Sequence, residues 1–400
     1  MSEEAFLNGG NTLSFLKLRA SYGSLGNNGL LRSVGGVLTN NYFPYLSLFS
    51  TGYNDLTNSG VYFTNLANPA ISWEKQASFN VGFDYGFWQD RVQGSLEYYR
   101  KDTYDLLFGR PLTLSSGIPS VDENIGDLRN SGVEFSINTV NVRTKNLTWK
   151  TGFNISTVTN KITKLPQERI KNGQFQLEVG RSVFDFHIRE FAGVDPQDGA
   201  MMWYKNVLNA DGTPTGERTT TKVYGDATDY YAGSAIPKWL GGLSSNLTYK
   251  NFDFAVLFNF AGGNKILDDD YTALMHGLGS GFGSQMHRDM LNRWQKPGDV
   301  TDVPILDPNN TDPTQRSTRW LFRGDYVRLR NVTLGYTIQT PWKAVRNLRV
   351  YAQADNFLTW TKAKPGLDPE TTNANGIPNG TTDNNSSVFR TVSGGINVTF

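Results

Sequence analysis

The chain has 400 residues, no cysteine and only 3 histidines, and its 38 Lys and Arg residues nearly balance 37 Asp and Glu residues, for a formal net charge of +1. This balance argues against a nucleic-acid-binding protein, and the lack of cysteine excludes disulfides and thiolate metal sites. No apolar run is long enough to predict a transmembrane helix. Aromatic residues make up 13% of the chain and glycines number 41, which favours a large all-β protein.

Alternation of apolar and polar residues predicts β-strands, taken here in chain order. The first lies at 16–22, and the clearest is at 76–87, where Phe79, Val81 and Phe83 alternate with polar or small residues. Because successive side chains of a strand point to opposite faces, this strand has one apolar and one polar face. A short turn at Gln89-Asp90 and a second alternating segment complete a hairpin.

The same unit recurs along the chain, and the last strand lies at 388–400. Val327 and Leu329 are out of phase with Val332, which predicts a β-bulge near Arg330 and Asn331. About ten strands are clear, and a pair within 183–206, which includes His187 as a wall residue, would give twelve. The other hairpins are predicted at 133–138 with 147–156, at 243–249 with 252–260, and at 332–338 with 348–354.

Two kinds of connection join these strands. Turns within hairpins are short, whereas connections between hairpins are long and rich in Gly, Asn, Asp, Thr and Pro. This asymmetry is typical of a transmembrane antiparallel β-barrel, whose apolar face contacts lipid and whose polar face lines a wet interior. The alternative is a soluble protein in which the apolar face is the core between two sheets. The long, extracellular loops are predicted near 25–74, 106–130, 160–237, 263–324 and 359–386.

No catalytic or metal site is expected. The run Asp268–Asp270 and the segment LDPNNTDPT are interpreted as solvated turns, since an EF-hand has different ligand spacing. His276 and His287 lack a third zinc ligand. The glycine-rich segment 277–284 lacks the spacing of a nucleophile elbow or a phosphate loop. We therefore expect neither a cofactor nor an enzyme.

Six aromatic residues of the long loops are the candidate contacts for a ligand or a lid. Aromatic faces stack on sugar rings, and neighbouring Asp, Asn and Arg side chains can bond to hydroxyl groups. The alternative is that these rings pack the loops together or belong to the aromatic girdle, in which Trp342 is also expected. The candidates are Trp203, Tyr204, Tyr230, Tyr231, Trp294 and Trp320.

Five segments, in order, resemble blocks of the SusC/RagA family of TonB-linked outer-membrane transporters of Bacteroidetes. The chain also ends in Phe400, similar to the terminal aromatic residue that barrel-assembly machinery recognises, so the resemblance assigns that signal to Ile396, Val398 and Phe400. The segments are LKLRASYGSLGNNG (16–29), NPAISWEKQASFNVGFDYGF (68–87), NIGDLRNSGVEFSIN (124–138), GDYVRLRNVTLGY (324–336) and RVYAQADNFLTWTKAKPGLDPE (349–370).

The resemblance implies that residues 1–400 are the C-terminal half of a barrel of about 22 strands in the cell outer membrane. It implies import of oligosaccharides or peptides, a SusD-like surface lipoprotein over the mouth, and energy from the TonB complex. The plug domain and the TonB-contacting segment are expected to be absent from this sequence. Outer-membrane lipid would surround the wall, and no nucleic acid is expected. The alternatives are a soluble or surface glycan-binding β-protein and a barrel enzyme with histidines at its rim.

Overall fold

The structure is a computed structural model. The glycine-rich segment 277–284 and Trp342 lie outside the residues that it describes. Those residues are 12–29, 31–34, 37–40, 42–52, 58, 60–118, 120–276, 285–341, 345–364, 366–370, 380–382 and 387–400.

Strands dominate the described chain, and its one α-helix, α1, spans only Asp269–Leu274. None of the described helices is both long and apolar enough to cross a membrane. Short 3-10 helices lie at Leu114–Ser116, Tyr224–Asp226, Arg288–Asn292, Asp312–Thr314 and Thr318–Trp320. The strands are β1 (Leu13–Asn27), β2 (Leu31–Val34), β3 (Val37–Asn40), β4 (Leu48–Thr51), β5 (Val61–Asn65), β6 (Glu74–Phe87), β7 (Val92–Tyr104), β8 (Leu107–Pro111), β9 (Ser120–Asn124), β10 (Asp127–Arg143), β11 (Leu147–Thr157), β12 (Thr159–Lys164), β13 (Arg169–Asn172), β14 (Phe175–Glu178), β15 (Asp185–Arg189), β16 (Phe191–Val194), β17 (Met201–Leu208), β18 (Pro214–Thr221), β19 (Asp229–Ser234), β20 (Trp239–Tyr249), β21 (Phe252–Gly262), β22 (Lys265–Asp268), β23 (Leu321–Arg323), β24 (Tyr326–Gln339), β25 (Asn347–Thr361), β26 (Thr381–Thr382) and β27 (Thr391–Thr399).

One large antiparallel sheet, which we call the wall sheet, contains the predicted hairpins. Its order is β1-β6-β7-β10-β11-β20-β21-β24-β25-β27, and β12 pairs with β10 beyond the end of β11. The predicted all-β architecture is confirmed. The pair predicted within 183–206 is wrong as wall strands, and so is His187 as a wall residue. These residues form β15, β16 and β17 of two smaller sheets, because loop strands carry the same alternation.

The connections of the wall sheet differ at its two ends. Short turns at 88–91, 144–146, 250–251 and 340–346 lie at one end. At the other end the connections span 28–73, 105–126, 165–238, 263–325 and 362–390 and contain the small sheets. We call the last three of these connections the loop layer.

The strand register aligns apolar residues across neighbouring wall strands. Leu18 pairs with Phe83, Phe83 with Leu96, Leu96 with Phe135, and Phe135 with Ile155. This apolar face is not covered by a second layer: Leu18 is 61% exposed, Phe79 and Val81 are each 41% exposed, and the partners Phe83, Leu96, Phe135 and Ile155 are partly exposed. A soluble two-sheet protein would bury this face, so the structure favours the barrel wall.

The opposite face of the wall sheet is polar and carries side-chain networks. Arg19 contacts Asp84 at 2.8 Å and Glu97 at 3.0 Å across three strands. Ser95 and Ser136 hydrogen-bond at 2.8 Å. Near the short-turn end this face borders a cavity of about 450 Å³. These strands of the wall therefore carry polar networks on one side and the apolar rows on the other.

The predicted bulge lies at Arg330 and is confirmed. The register of β24 shifts between Leu329 and Asn331 against both of its neighbours. Arg330 Nη1 donates to Asn356 Oδ1 at 3.0 Å and to Glu370 Oε2 at 2.9 Å. A bulge re-aims a side chain, and here it turns an arginine towards the loop layer.

The buried core lies in the loop layer and in the adjoining strand β12. One cluster gathers around Phe186 and Trp320, a second around Trp203 and Trp294, and a third around Ile162. Leu128, on the polar face of β10, packs on the third cluster. The loops therefore fold over the polar side of the wall and leave the apolar side open.

Candidate functional site

The start of α1 fixes the first residue of the candidate site. Asp268 is 4% exposed and caps the helix by accepting the Tyr271 N–H at 2.9 Å. Thr382 Oγ1 donates to the same oxygen at 3.0 Å. Burial raises the pKa of Asp268. The cap orients Tyr271, whose ring lies 5.7 Å from that of Trp320.

Tyr271, Asp289 and Lys364 form a junction between three segments of the loop layer. The Tyr271 hydroxyl donates to Asp289 Oδ2 at 2.8 Å, and Lys364 Nζ lies 2.7 Å from the same oxygen. Lys364 Nζ also lies 4.5 Å from the Tyr271 ring centroid. Lys364 and the tyrosine hydroxyl hold the pKa of Asp289 below its usual value. The junction is thus a fixed, charged feature.

Strand β24 anchors the segment that carries Lys364. Arg328 is 2% exposed and pairs with Asp368 at 2.5 Å and with Glu370 at 2.9 Å. The Val388 N–H donates to Asp368 Oδ2 at 2.9 Å. Two sequence blocks, 324–336 and 349–370, therefore meet through a buried ion-pair network.

Two cavities flank the junction and share Tyr271 and Lys364 in their linings. One has a volume of about 160 Å³ and also contacts Asp268, His287 and Asp368. The other has about 200 Å³, and its lining also includes Asn292, Asp302, Arg319, Trp320 and Phe322.

Arg319 is the distinctive group of the larger cavity. Its guanidinium lies 4.3 Å from the Trp320 ring, and Nη1 lies 3.5 Å from Met201 Sδ. Within the described part of the chain it makes no ion pair. Burial lowers its pKa to about 10, so it is charged at neutral pH. A guanidinium in this position can bind a carboxylate with two hydrogen bonds.

The three candidate tryptophans of the loops are buried. Trp203, Trp294 and Trp320 are 1%, 7% and 1% exposed. Trp294 Nε1 donates to the Pro196 carbonyl at 3.0 Å, and Trp320 Nε1 to the Gln315 carbonyl at 3.1 Å. These indole rings bury a large apolar area between the loops. The alternative interpretation, that the rings pack the loops together, therefore fits the three tryptophans.

The three tyrosines are half-buried and already paired with arginines. Tyr204 and Tyr230 lie 4.3 Å and 4.1 Å from the Arg218 guanidinium. Arg181 lies 3.4 Å from the Tyr231 ring. The structure brings Tyr204 and Tyr230 together, and their role as ligand contacts stays a prediction.

Structural contacts involve the carboxylates and histidines that were considered for metals. Asp269 pairs with Arg316 at 3.0 Å, and His287 caps a 3-10 helix. His276 is 1% exposed, its Nε2 lies 3.3 Å from the Gln285 carbonyl oxygen, and its Nδ1 is buried without a partner among the described residues. In the described ranges no group of three or more such side chains could hold a metal ion.

Arg319, Lys364 and Arg328 could not be singled out from the sequence. The blocks that contain Arg328 and Lys364 were recognised, and charged residues next to a predicted bulge were the only available signal. Arg328 and its partner Asp368 are 40 residues apart. Contacts between residues so far apart in the sequence leave no repeating pattern from which they could be predicted.

The proposed assembly signal lies on an edge of the wall sheet. Ile396 and Val398 belong to β27 on its apolar face and are 64% and 43% exposed, and Phe400 is 81% exposed. Its role in barrel assembly stays a prediction.

Comparison with known sequences identifies the family. The model of the family described as TonB dependent receptor-like, beta-barrel matches residues 11–357. TonB-dependent receptor P3 of Formosa agariphila is 34% identical over 92% of this chain and 37% of that protein. TonB-dependent receptor SusC of Bacteroides thetaiotaomicron is 28% identical over 92% of this chain and 36% of that protein.

Solved structures of the same class of transporter are similar to this chain. A structure of the RagAB peptide transporter has a TM-score of 0.80 and 27% identity, over 99% of this chain and 42% of that chain. The open-open state of the RagAB peptide importer has a TM-score of 0.76 and 25% identity, over 99% of this chain and 41% of that chain. The chain thus spans about two fifths of the length of the relatives it matches.

These findings confirm the SusC/RagA resemblance and the outer-membrane location. The apolar face of the wall sheet is accordingly the lipid-facing side, and the polar face is the inner side. The chain belongs to the TonB-dependent receptor-like β-barrel family of outer-membrane proteins.

Proposed function

We propose that this chain is the C-terminal barrel part of a TonB-dependent importer of large nutrients, of the oligosaccharide or peptide class. In this function the barrel performs no bond chemistry. A SusD-like surface lipoprotein covers the loop layer, and the TonB complex acts through a part of the transporter outside this chain. The 22-strand closure and the extracellular position of the long loops belong to the same proposal.

One observation carries the proposal: the loop layer stands on the polar side of the wall and contains charged cavities at the Tyr271–Asp289–Lys364 junction. Such cavities can hold a ligand on its way to the barrel interior. The relatives named SusC and RagAB are a TonB-dependent receptor and a peptide transporter. These names support the importer class.

The chemistry of the cavities favours a peptide over a neutral oligosaccharide. The larger cavity contains Arg319 and Lys364 together with Asp289 and Asp302. Both signs of charge suit the termini and side chains of a peptide. The loop tryptophans are buried, so they offer no open face for a sugar ring.

The test uses the full-length transporter in cells that lack the native copy. Arg319→Gln should slow uptake of short peptides that bear a free carboxylate about tenfold, since a charge-assisted hydrogen bond contributes about 1.5–3 kcal/mol. Arg169→Gln removes an arginine whose side chain is 58% exposed on the β13–β14 hairpin and serves as the control.

Uptake of both peptides and oligosaccharides unchanged by Arg319→Gln would contradict the cavity assignment. Equal growth of the deletion strain on every large nutrient would contradict the import function itself. If Arg319→Gln reduces oligosaccharide uptake more than peptide uptake, the cavity favours oligosaccharides instead of peptides.

A further inference from the structure

A group of basic residues lies on the lipid-facing side of the wall, at its loop end. Arg100 in β7 and Arg129 in β10 share the carboxylate of Asp102, at 2.7 Å and 2.6 Å. Lys161 in β12 pairs directly opposite Arg129. Lys75 in β6 lies on the same side, one strand away. We call these four cations the basic patch.

The strand register places the basic patch on the apolar face. Residue 100 has the same facing direction as Tyr98 and Leu96, because β7 pairs with β6 and β10 over this stretch without a bulge. The alternate residues, such as Asn130 and Asn160, hydrogen-bond to each other on the inner side, where Ser182 of the loop layer meets them. The basic patch therefore faces away from the loops.

The basic patch borders the apolar surface directly. Tyr98 and Val133 are cross-strand partners two residues further towards the short-turn end, and each is 41% exposed. Tyr104, at the loop end of β7, is also 41% exposed. Aromatic side chains at this level are typical of the boundary between hydrocarbon and headgroups. The cations thus lie at headgroup height.

The basic patch carries more positive charge than its paired carboxylates neutralise: Lys75 pairs with Asp105 at 3.0 Å, so in the described residues four cations meet only two carboxylates, Asp102 and Asp105. Arg100 and Arg129 have side chains 40% and 39% exposed, and both direct Nε to the one carboxylate of Asp102, which is only 12% exposed. Both arginine side chains are thus partly accessible from outside the wall. Lys161 is exposed and makes no ion pair in the part of the chain that the structure describes.

We propose that the basic patch binds the phosphate groups of an outer-leaflet glycolipid. Arginine forks match phosphate oxygens in two-point hydrogen bonds, and clusters of basic residues beside a membrane-spanning surface recognise anionic headgroups. The acyl chains of the same lipid would lie along Tyr98 and Val133. The lipid occupant follows from the neighbouring hydrocarbon-facing surface. This proposal rests on the extracellular position of the long loops in the proposed function and does not depend on the transported substrate.

The experiment titrates the full-length protein in detergent micelles with phosphorylated lipid A and with lipid A from which the phosphates have been removed. Native mass spectrometry counts the bound lipid. Each cation near the headgroup contributes about fivefold in affinity. Lys161→Gln leaves the Asp102 triad intact and should weaken binding of phosphorylated lipid A about fivefold. Arg100→Gln with Arg129→Gln should weaken it more.

Matched variants keep the result interpretable. Lys145→Gln with Lys250→Gln removes two exposed cations from the short turns at the opposite end and should bind lipid A like the wild type. The double variant Arg100→Lys with Arg129→Lys keeps two positive charges beside Asp102 and should retain most of the binding of phosphorylated lipid A. Equal binding of both lipids by the wild type, or equal phosphate preference in Lys161→Gln and the wild type, would overturn the proposal.

Discussion

At the scale of single residues, Arg328 is a buried cation that ties a wall strand to the segment with Asp368 and Glu370. It is 2% exposed and satisfies both Asp368 and Glu370, although its own Nε is buried without a partner in the described residues. Burial opposes ionisation of Asp368, but backbone N–H groups and Arg328 keep the pKa of that carboxyl below its usual value. As a carboxylate, Asp368 bonds to Arg328 and to the Val388 N–H. These bonds hold the lining of the smaller cavity in place.

Replacing Arg328 by Gln should release the 362–370 segment. Loss of one partner from a buried ion pair costs about 3–5 kcal/mol, because the remaining charges stay uncompensated. Limited proteolysis of the full-length protein measures this release as new cleavage within the segment. The neighbouring Arg330→Gln is the control: its side chain is 40% exposed, and exposed pairs contribute about 0–1 kcal/mol.

The Asp289 contacts predict how the junction responds to acid. The pKa of Asp289 is lower in the folded loop than in an unfolded chain, so its contribution is present above the unfolded value of about 4. That contribution is lost as the pH falls through the folded pKa. Cleavage near Lys364 should therefore remain slow from neutral pH to about pH 4 and rise below it. Asp289→Asn should already show fast cleavage at neutral pH, and equal rates in both proteins would contradict this account.

At the scale of strands, glycine–aromatic pairs shape the wall. Four glycines lie directly opposite an aromatic residue of the next strand, whose ring covers the space that a side chain would fill. This arrangement protects the glycine backbone and supports sheet curvature. The pairs are Tyr85–Gly94, Tyr99–Gly132, Phe260–Gly241 and Tyr351–Gly395.

Gly94→Ala should destabilise the wall. An added Cβ would lie 2.0 Å from the Ser136 carbonyl oxygen and 2.7 Å from the Tyr85 hydroxyl. Overpacking of this kind costs about 1–3 kcal/mol, so the urea midpoint of unfolding should fall. In the control Gly23→Ala the new methyl group meets nothing within 4 Å, and the midpoint should stay or rise slightly. Equal midpoints would show that the wall has room for a methyl group at Gly94.

The wall strands could be predicted from the sequence, whereas the candidate site could not. Alternation records directly which face each residue occupies, and the phase break around Arg330 revealed its bulge. The ion pair of Arg328 with Asp368 joins residues 40 positions apart, and no local pattern encodes it. The burial of Trp203 has the same origin, since only the packing of distant loops decides whether an aromatic ring is open.

At the scale of the whole molecule, the wall sheet is an arc with two edges. In the described residues β1 pairs only with β6, and β27 only with β25. In hydrocarbon, unpaired backbone groups cost several kcal/mol each, so we expect both edges to be paired in the membrane.

Hydrogen exchange tests this closure in the full-length protein. The amides of β1 that point away from β6 should exchange as slowly as those of β7, which is paired on both sides. Fast exchange of alternate β1 amides, with slow exchange in β7, would show that the edge stays open.

The central claim is that the apolar face of the wall meets lipid while the polar face meets water, and spin-label accessibility tests it most directly. The chain has no cysteine, so single cysteines at Val81, Phe83, Ser78 and Asn80 can each carry a label in the membrane-inserted protein. We predict that labels at 81 and 83 collide mainly with oxygen dissolved in lipid, and that labels at 78 and 80 collide mainly with a water-soluble nickel chelate. Labels at 81 and 83 that are shielded from both reagents would place these side chains between packed sheets and contradict the account.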